Sequence, residues 1–176
     1  MDNSKQAFRD YLQLEKNYSK HTVHNYCADV DFFETFLKAE FDQDNLLEVN
    51  YSQIRSWIVA LVDAGISNVS VNRKISSLKS YYKFLLKSKQ IEVSPLLKHK
   101  ALKTPKKIQI PFSEKELDLV LNQLQFPKGF EGVRDKLIID LFYTTGIRRT
   151  EMIYLFISNV NTFNKTFKAL GKRNQE

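Results

Sequence analysis

The sequence predicts a mainly α-helical protein, in which a bundle of four helices precedes a smaller α+β part that ends in a β-hairpin. Three observations predict this class. Apolar residues recur at helical steps of three and four over most of residues 1–100. Three X-Pro pairs interrupt the chain between residues 94 and 111. Two short strand-like runs flank the turn residues Asn164-Lys165 near the end of the sequence.

Apolar spacing and one N-cap predict the first two helices. A first helix is expected over about residues 4–16, with an apolar face of Phe8, Tyr11, Leu12 and Leu14. Ser19 is a predicted N-cap, because its hydroxyl can accept a hydrogen bond from an unpaired backbone N–H. In the second helix the apolar residues follow at steps of 3, 4, 3 and 4, and they are Val23, Tyr26, Val30, Phe33 and Leu37.

The next two helices complete the predicted bundle. The third begins near Ser52 and ends near Gly65, a residue suited to a left-handed C-terminal cap. In the fourth, five apolar residues fall within about 80° of one another at 100° per residue, and they are Val71, Ile75, Leu78, Tyr82 and Leu85. The opposite side carries cations and hydroxyls, namely Arg73, Ser76, Ser80, Lys83 and Lys87. This division suits a helix that lies on phosphates.

The remaining elements are shorter. Ser113 and Glu116 form a predicted capping box, and the helix that they begin is expected to end near residue 125. Further helices are expected over about residues 133–144 and 149–156, and two strands over residues 159–176. We expect Tyr143 and Tyr154 to be core or partly buried aromatics. The predicted boundaries are a domain at residues 1–100, a linker at 101–111 and a second domain at 112–176.

Charge is concentrated in the middle of the chain. The net formal charge is +7 in total, −5 over residues 1–65, +10 over residues 66–107 and +2 over residues 108–176. A cluster of this kind is expected on a surface that faces a polyanion. We therefore expect a nucleic-acid partner, with an acidic protein or an anionic lipid surface as alternatives.

The composition argues against membrane-spanning, secreted, disulfide-bonded and metal-binding classes of protein. No run approaches the roughly 20 apolar residues that span a bilayer, and the first residues lack the apolar core of a secretory signal. One cysteine, Cys27, excludes an internal disulfide and fits a reducing cytosol. His21, His24 and Cys27 are spaced by three but have no fourth ligand, so we expect no metal site. We expect a cytoplasmic, nucleoid-associated protein with no cofactor, no small-molecule substrate and no membrane partner.

One motif resembles a known active site. The run Thr145-Gly-Ile-Arg148, with Glu151 three residues later, resembles the motif that carries the first catalytic arginine of tyrosine recombinases, the family of phage integrases and the Xer group. Lys172 lies 24 residues after Arg148 and resembles the lysine on the family's β-hairpin.

Other segments resemble the same family. Residues 18–37 and 70–84 resemble the first long helix and the last helix of its SAM-like core-binding domain. The Ser-Pro pair at 94–95 and the Ile-Pro pair at 110–111 resemble its linker, and residues 112–116 resemble the opening of its catalytic domain. The resemblance implies a core-binding domain at residues 1–100 and the first half of an incomplete catalytic domain at residues 112–176.

The resemblance also implies a chemistry. In this family a tyrosine attacks a DNA phosphate without a metal, and a guanidinium binds the non-bridging oxygens of the transition state. Arg148 would be that group, Glu151 would orient it, and Lys172 would protonate the leaving oxygen. The alternatives are a surface ion pair of Arg148 with Glu151, a phosphate-facing role for Arg149, and a solvated lysine at position 172.

The resemblance also predicts how the chain acts. The family's nucleophilic tyrosine would lie beyond Glu176, so we expect the chain alone to be inactive in strand cleavage. We expect it to bind double-stranded DNA, and to contact recombinase protomers of the same family. The candidate DNA-binding residues are Thr22, His24, Asn25, Arg73, Lys79, Lys83 and Lys87, and ordinary solvated polar side chains are the alternative for each. A second interpretation is a stand-alone, non-catalytic module that regulates or competes with a full-length recombinase.

Overall fold

The computed structural model describes residues 3–106 and 108–169. The chain divides into two compact units, Met1–Lys107 and Ile108–Glu176, which we name the N-terminal unit and the C-terminal unit. The division falls inside the segment that we predicted as a linker. Among the described residues, no helix is both long enough and apolar enough to cross a membrane.

Four α-helices build the described part of the N-terminal unit, which confirms the predicted bundle. They are α1 (Asn3–Asp10), α2 (Lys20–Phe41), α3 (Tyr51–Asp63) and α4 (Asn68–Lys87). A π-helical turn at Tyr11–Glu15 continues α1, and a 3-10 turn at Leu46–Glu48 precedes α3.

Side-chain caps fix where these helices begin. The Ser19 hydroxyl accepts from the backbone N–H of Thr22 at 3.3 Å, so Ser19 caps α2 as predicted. Helix α3 begins at Tyr51, one residue earlier than predicted, because Asn50 and Gln53 form a capping box. Gly65 follows α3 with a φ of +78°, a left-handed conformation that glycine adopts without steric strain.

The core of the N-terminal unit lies between α2, α3 and α4. The five apolar residues predicted for α4 are all buried, and so are four of the five in α2, with Tyr26 partly buried. Trp57 of α3 fills the centre, with its ring 4.9 Å from that of Phe33. The prediction for Leu14 is wrong, because its side chain is 78% exposed. At 100° per residue Leu14 lies about 120° from Phe8 and about 160° from Leu12, so it falls outside the apolar stripe even of a regular α-helix.

The described residues of the C-terminal unit form one 16-residue helix, two helices of five residues each and the predicted β-hairpin. The helices are α5 (Glu114–Asp118), which a π-helical turn at Leu119–Gln123 extends, α6 (Phe130–Thr145) and α7 (Arg149–Ile153). A 3-10 turn at Ile157–Asn159 leads into β1 (Val160–Asn161), which pairs antiparallel with β2 (Thr166–Phe167). Ser113 and Glu116 form the predicted capping box.

The C-terminal unit buries little apolar surface within itself. Among its described residues only Gly132 and Ile147 are buried. The expectation for the two tyrosines is wrong, because Tyr143 is 50% and Tyr154 is 71% exposed. No other described element of the unit covers them, and Phe130 and Val133 of α6 are similarly uncovered.

Candidate nucleic-acid interface and phosphate-binding residues

The start of α2 presents three polar residues that we predicted to contact DNA. The Thr22 hydroxyl lies 2.9 Å from that of Ser19, at the N-cap. The Asn25 side-chain nitrogen lies 3.1 Å from Nε2 of His21. His24 is exposed. These side chains are available on the surface, where Thr22 and Asn25 are held by local contacts.

A buried carboxylate joins α2 to α4. Asp29 is 3% exposed, and Oδ2 and Oδ1 of its carboxylate accept from NH1 and NH2 of Arg73 at 2.9 and 3.1 Å. Lys74 donates to Oδ1 at 3.0 Å, and the Ser77 hydroxyl donates to Oδ2 at 2.7 Å. Four donors therefore satisfy one buried carboxylate. The Arg73 side chain stays half exposed.

The other cations of α4 differ in their surroundings. Lys87 donates to the Glu15 carboxylate at 2.5 Å, and this hydrogen bond raises the pKa of Lys87. Lys79 and Lys83 are exposed, and neither has a carboxylate at ion-pair distance in the described part of the chain. Among the candidate cations of α4, these two lysines are therefore the ones whose charge is least offset by a neighbouring carboxylate.

Two residues of this surface were missed at the sequence level as site residues, Asp29 and Lys74. A signal for Asp29 exists, because an acidic residue stands between Tyr26 and Phe33 at core spacing on an apolar helix face. An acid at such a position needs a buried cationic partner. Only the fold shows that the partners are Arg73 and Lys74.

The corner between α6 and α7 positions the predicted phosphate-binding arginine. Gly146 ends α6 with a φ of +64°, and Ile147 is the buried residue that anchors the corner. Arg148 is then the N-cap of α7. Glu151, at the third helical position, accepts from the Arg148 backbone N–H at 3.0 Å and from its NH1 at 2.6 Å.

The pair is asymmetric in exposure. The side chain of Arg148 is 68% exposed and that of Glu151 is 12% exposed. The backbone N–H of Arg148, and secondly its guanidinium, lower the pKa of Glu151. A guanidinium has five donors, and Glu151 engages one of them. Arg148 is therefore oriented by a carboxylate while most of its donors face solvent, whereas Arg149 is exposed and has no ion pair among the described residues.

Two predictions on this site concern other residues. Lys172 lies outside the described residues, so its predicted role stays a prediction. Over the described ranges, no group of three or more His, Cys, Asp or Glu side chains is arranged to hold a metal ion. Cys27 is partly buried and packs against the core, and burial raises the pKa of its thiol.

Comparison with known proteins identifies the relatives. Residues 6–89 match the family described as phage integrase, N-terminal SAM-like domain. The tyrosine recombinase XerC of Bacillus subtilis (strain 168) is 33% identical over 173 residues, which cover 94% of this chain and 54% of the relative. XerC of Staphylococcus carnosus (strain TM300) is 32% identical over 179 residues, with 100% of this chain and 58% of the relative covered. The chain thus spans a little over half the length of these curated relatives.

A solved structure is also similar. The crystal structure of XerA recombinase aligns at 20% sequence identity over 99% of this chain and 57% of that chain, with a TM-score of 0.45. The likeness to tyrosine recombinases is carried by the sequence matches.

Proposed function

We propose that this chain, which matches the phage integrase N-terminal SAM-like family over residues 6–89 and is 33% identical to a tyrosine recombinase XerC, is the DNA-binding part of a site-specific tyrosine recombinase. It would contact duplex DNA through α2 and α4. In the whole recombinase, the reaction would be strand cleavage and rejoining through a phosphotyrosine. The observation that carries the DNA-binding role is the charge of one segment, since residues 66–107 hold a net charge of +10 and include α4.

The α2–α4 surface supports this proposal. Phosphate contacts supply most non-specific affinity, and they come from exposed lysines and arginines. Lys79 and Lys83 are such residues, and Arg73 is held in place by Asp29 with its side chain half exposed. The polar residues at the start of α2 would add contacts to bases or backbone, and Asp29 lies about one helical turn after Asn25.

Arg148 is proposed as a phosphate-binding residue of the reaction site. A guanidinium can bind two non-bridging oxygens at once, and Glu151 holds that of Arg148 without using most of its donors. Arg149 lacks such a support, so the geometry favours Arg148. We propose Lys172 as the general acid from the family resemblance alone.

The C-terminal unit is proposed to be part of a larger catalytic domain. Its described residues leave apolar side chains such as Phe130, Val133 and Tyr154 uncovered. A domain of this family would cover them with further polypeptide, and recombinase protomers would be partners on DNA. The proposed domains are residues 1–100 and 112–176, and the proposed location is the cytoplasmic nucleoid.

A stand-alone DNA-binding module is the second candidate. The N-terminal unit has its own buried core, whereas the described residues of the C-terminal unit bury only Gly132 and Ile147, so binding and catalysis are separable in principle. In this case the chain would occupy recombination sites or compete with a full-length recombinase.

A binding comparison tests the proposed function. Fluorescence anisotropy of the 176-residue chain would be measured with a labelled 30-base-pair duplex, and vesicle co-sedimentation with phosphatidylserine vesicles. We expect duplex binding that weakens steeply with salt, and much weaker vesicle binding at equal ionic strength. Preferential binding to vesicles, or no duplex binding at low salt, would contradict the proposal.

A further inference from the structure

The chain that follows α4 folds back and is fastened to that helix by two asparagines. We name residues 94–103 the return segment. The Asn72 side chain makes two hydrogen bonds with Leu102: its Nδ2 donates to the Leu102 carbonyl and its Oδ1 accepts from the Leu102 N–H, both at 2.9 Å. One turn earlier, Asn68 donates to the Lys103 carbonyl at 2.8 Å.

The return segment runs along α4 in the reverse direction. His99 lies beside Tyr51, whose hydroxyl is 3.3 Å from Nδ1. Burial lowers the pKa of His99, and the nearby charge of Lys79 lowers it further. Residue 102 meets Asn72, and residue 103 meets Asn68, which lies one turn nearer the N-terminal end of α4. The segment therefore runs antiparallel to α4 where the two asparagines hold it.

Apolar contacts complete the attachment. Leu96 is 3% exposed in the core, and Leu102 packs against the same core. The Ser94 hydroxyl accepts from the Leu96 N–H at 3.2 Å. Because Asn72 satisfies both backbone groups of Leu102, the segment can lie on the unit without belonging to a helix or a sheet.

The lysines of this segment resemble Lys79 and Lys83 in having no ion pair among the described residues, and they are less neutralised than the other cations of α4. Arg73 and Lys74 share the Asp29 carboxylate, and Lys87 is paired with Glu15. By contrast, three exposed lysines of the return segment have no ion pair among the described residues, and they are Lys98, Lys100 and Lys103. Between residues 66 and 107 the sole acidic residue in the sequence is Glu92.

We propose that Asn72, assisted by Asn68, is a latch that fixes the return segment against α4 and makes its three lysines part of the DNA-binding surface. This rests on the proposed function and deepens it. A segment that is already ordered loses less conformational entropy when its lysines bind phosphates. Asn72 is thus a positioning residue, and the lysines are the proposed phosphate contacts.

The test uses the full chain and a 30-base-pair duplex of arbitrary sequence. Dissociation constants would be measured between 50 and 200 mM salt, together with the rate of trypsin cleavage in the return segment. The variants are Asn72→Leu, the triple variant K98A/K100A/K103A and its charge-preserving counterpart K98R/K100R/K103R. Ser56→Ala, at an exposed position of α3 outside the proposed α2–α4 surface, is the matched control.

We expect the alanine triple variant to reduce the salt slope of log Kd by roughly 2 to 3, as expected for three lost phosphate contacts, and the arginine variant to keep it. The Asn72→Leu variant should be cleaved faster by trypsin. It should also bind DNA about tenfold more weakly and show a smaller salt slope of log Kd. Ser56→Ala should match the wild type in both readouts.

The outcomes separate the two proposals. If the wild type binds DNA but the alanine triple variant keeps its slope, the return segment is not a phosphate contact and the inference fails alone. If Asn72→Leu keeps the affinity, slope and cleavage rate of the wild type, there is no latch and the inference again fails alone. If the wild type itself does not bind, the proposed function and this inference both fail.

Discussion

Asp29 and Arg73 form a two-point ion pair that joins α2 to α4, with nitrogen–oxygen distances of 2.9 and 3.1 Å. The carboxylate is buried, while the guanidinium is half exposed. Asp29 thus stabilises the packing of α2 against α4 and also orients the Arg73 guanidinium at the surface. In this arrangement the proposed DNA-binding surface depends on the interior of the bundle.

Removal of this carboxylate should destabilise the N-terminal unit. Asp29→Ala leaves Lys74 and Ser77 without their buried acceptor, and we expect a loss of about 2–4 kcal/mol in the free energy of unfolding. Urea denaturation followed by circular dichroism measures it. The control is Asp31→Ala, which lies on α2 like Asp29 and removes an exposed ion-pair partner of Lys5. It should lower the free energy of unfolding by less than about 1 kcal/mol. Equal losses in the two variants would contradict a special role for Asp29.

The lysines of α4 should contribute unequally to DNA binding. Lys79 and Lys83 have no described ion pair, so K79A/K83A should weaken binding about tenfold near 0.1 M salt and reduce the salt slope by about 2. Lys87→Ala should have a smaller effect per lysine, because Glu15 already neutralises that lysine. The measurement is anisotropy over a salt series. A larger slope change for Lys87→Ala than for the double variant would refute this ranking.

Cys27 should react slowly in the folded protein. Burial raises the pKa of its thiol, so the reactive thiolate is scarcer than in the unfolded chain. As the sole cysteine, it makes iodoacetamide labelling a clean probe. At pH 8 we expect labelling about tenfold slower than in 8 M urea, with the difference narrowing as pH rises. Equal rates in the two states would show that the thiol is not buried as described.

The pKa of Glu151 should lie below its ordinary value of 4.5. A carboxyl pKa that is lowered in the folded protein stabilises the folded state at pH values above the ordinary pKa. That contribution to stability is lost as the pH falls through the lowered pKa. The cap on Arg148 should therefore persist at neutral and mildly acidic pH. Carbon-13 NMR of the side-chain carboxyl measures the midpoint. In Arg148→Ala the backbone N–H remains, so the midpoint should rise only partly; a wild-type midpoint at or above 4.5 would contradict the capping geometry.

Sequence periodicity predicted the long helices well because the burial of a helix face repeats locally. The apolar face of α4, including Val71 and Leu85, is buried as expected. The prediction for Leu14 was wrong because this residue stands about 120° around the helix from Phe8 at 100° per residue, outside the stripe that is buried. The family resemblance is confirmed by the sequence matches.

Contacts between distant residues could not be predicted in the same way. Asp29 and Arg73 are separated by 44 positions, and Asn72 and Leu102 by 30. A single sequence does not indicate such pairs, because many polar residues could satisfy each partner. The exposure of Tyr143 was missed for a related reason: periodicity shows which residues are apolar, but not whether another element covers them.

The most direct test of the DNA-binding surface is a backbone amide NMR titration of the chain with duplex DNA. Our account predicts that the largest chemical-shift changes occur at the start of α2, near Thr22 and Asn25, and on α4 between Arg73 and Lys83. The outer side of α3, near Val59, should change little. Changes concentrated on α3, or none at saturating duplex, would contradict the proposal that α2 and α4 bind DNA.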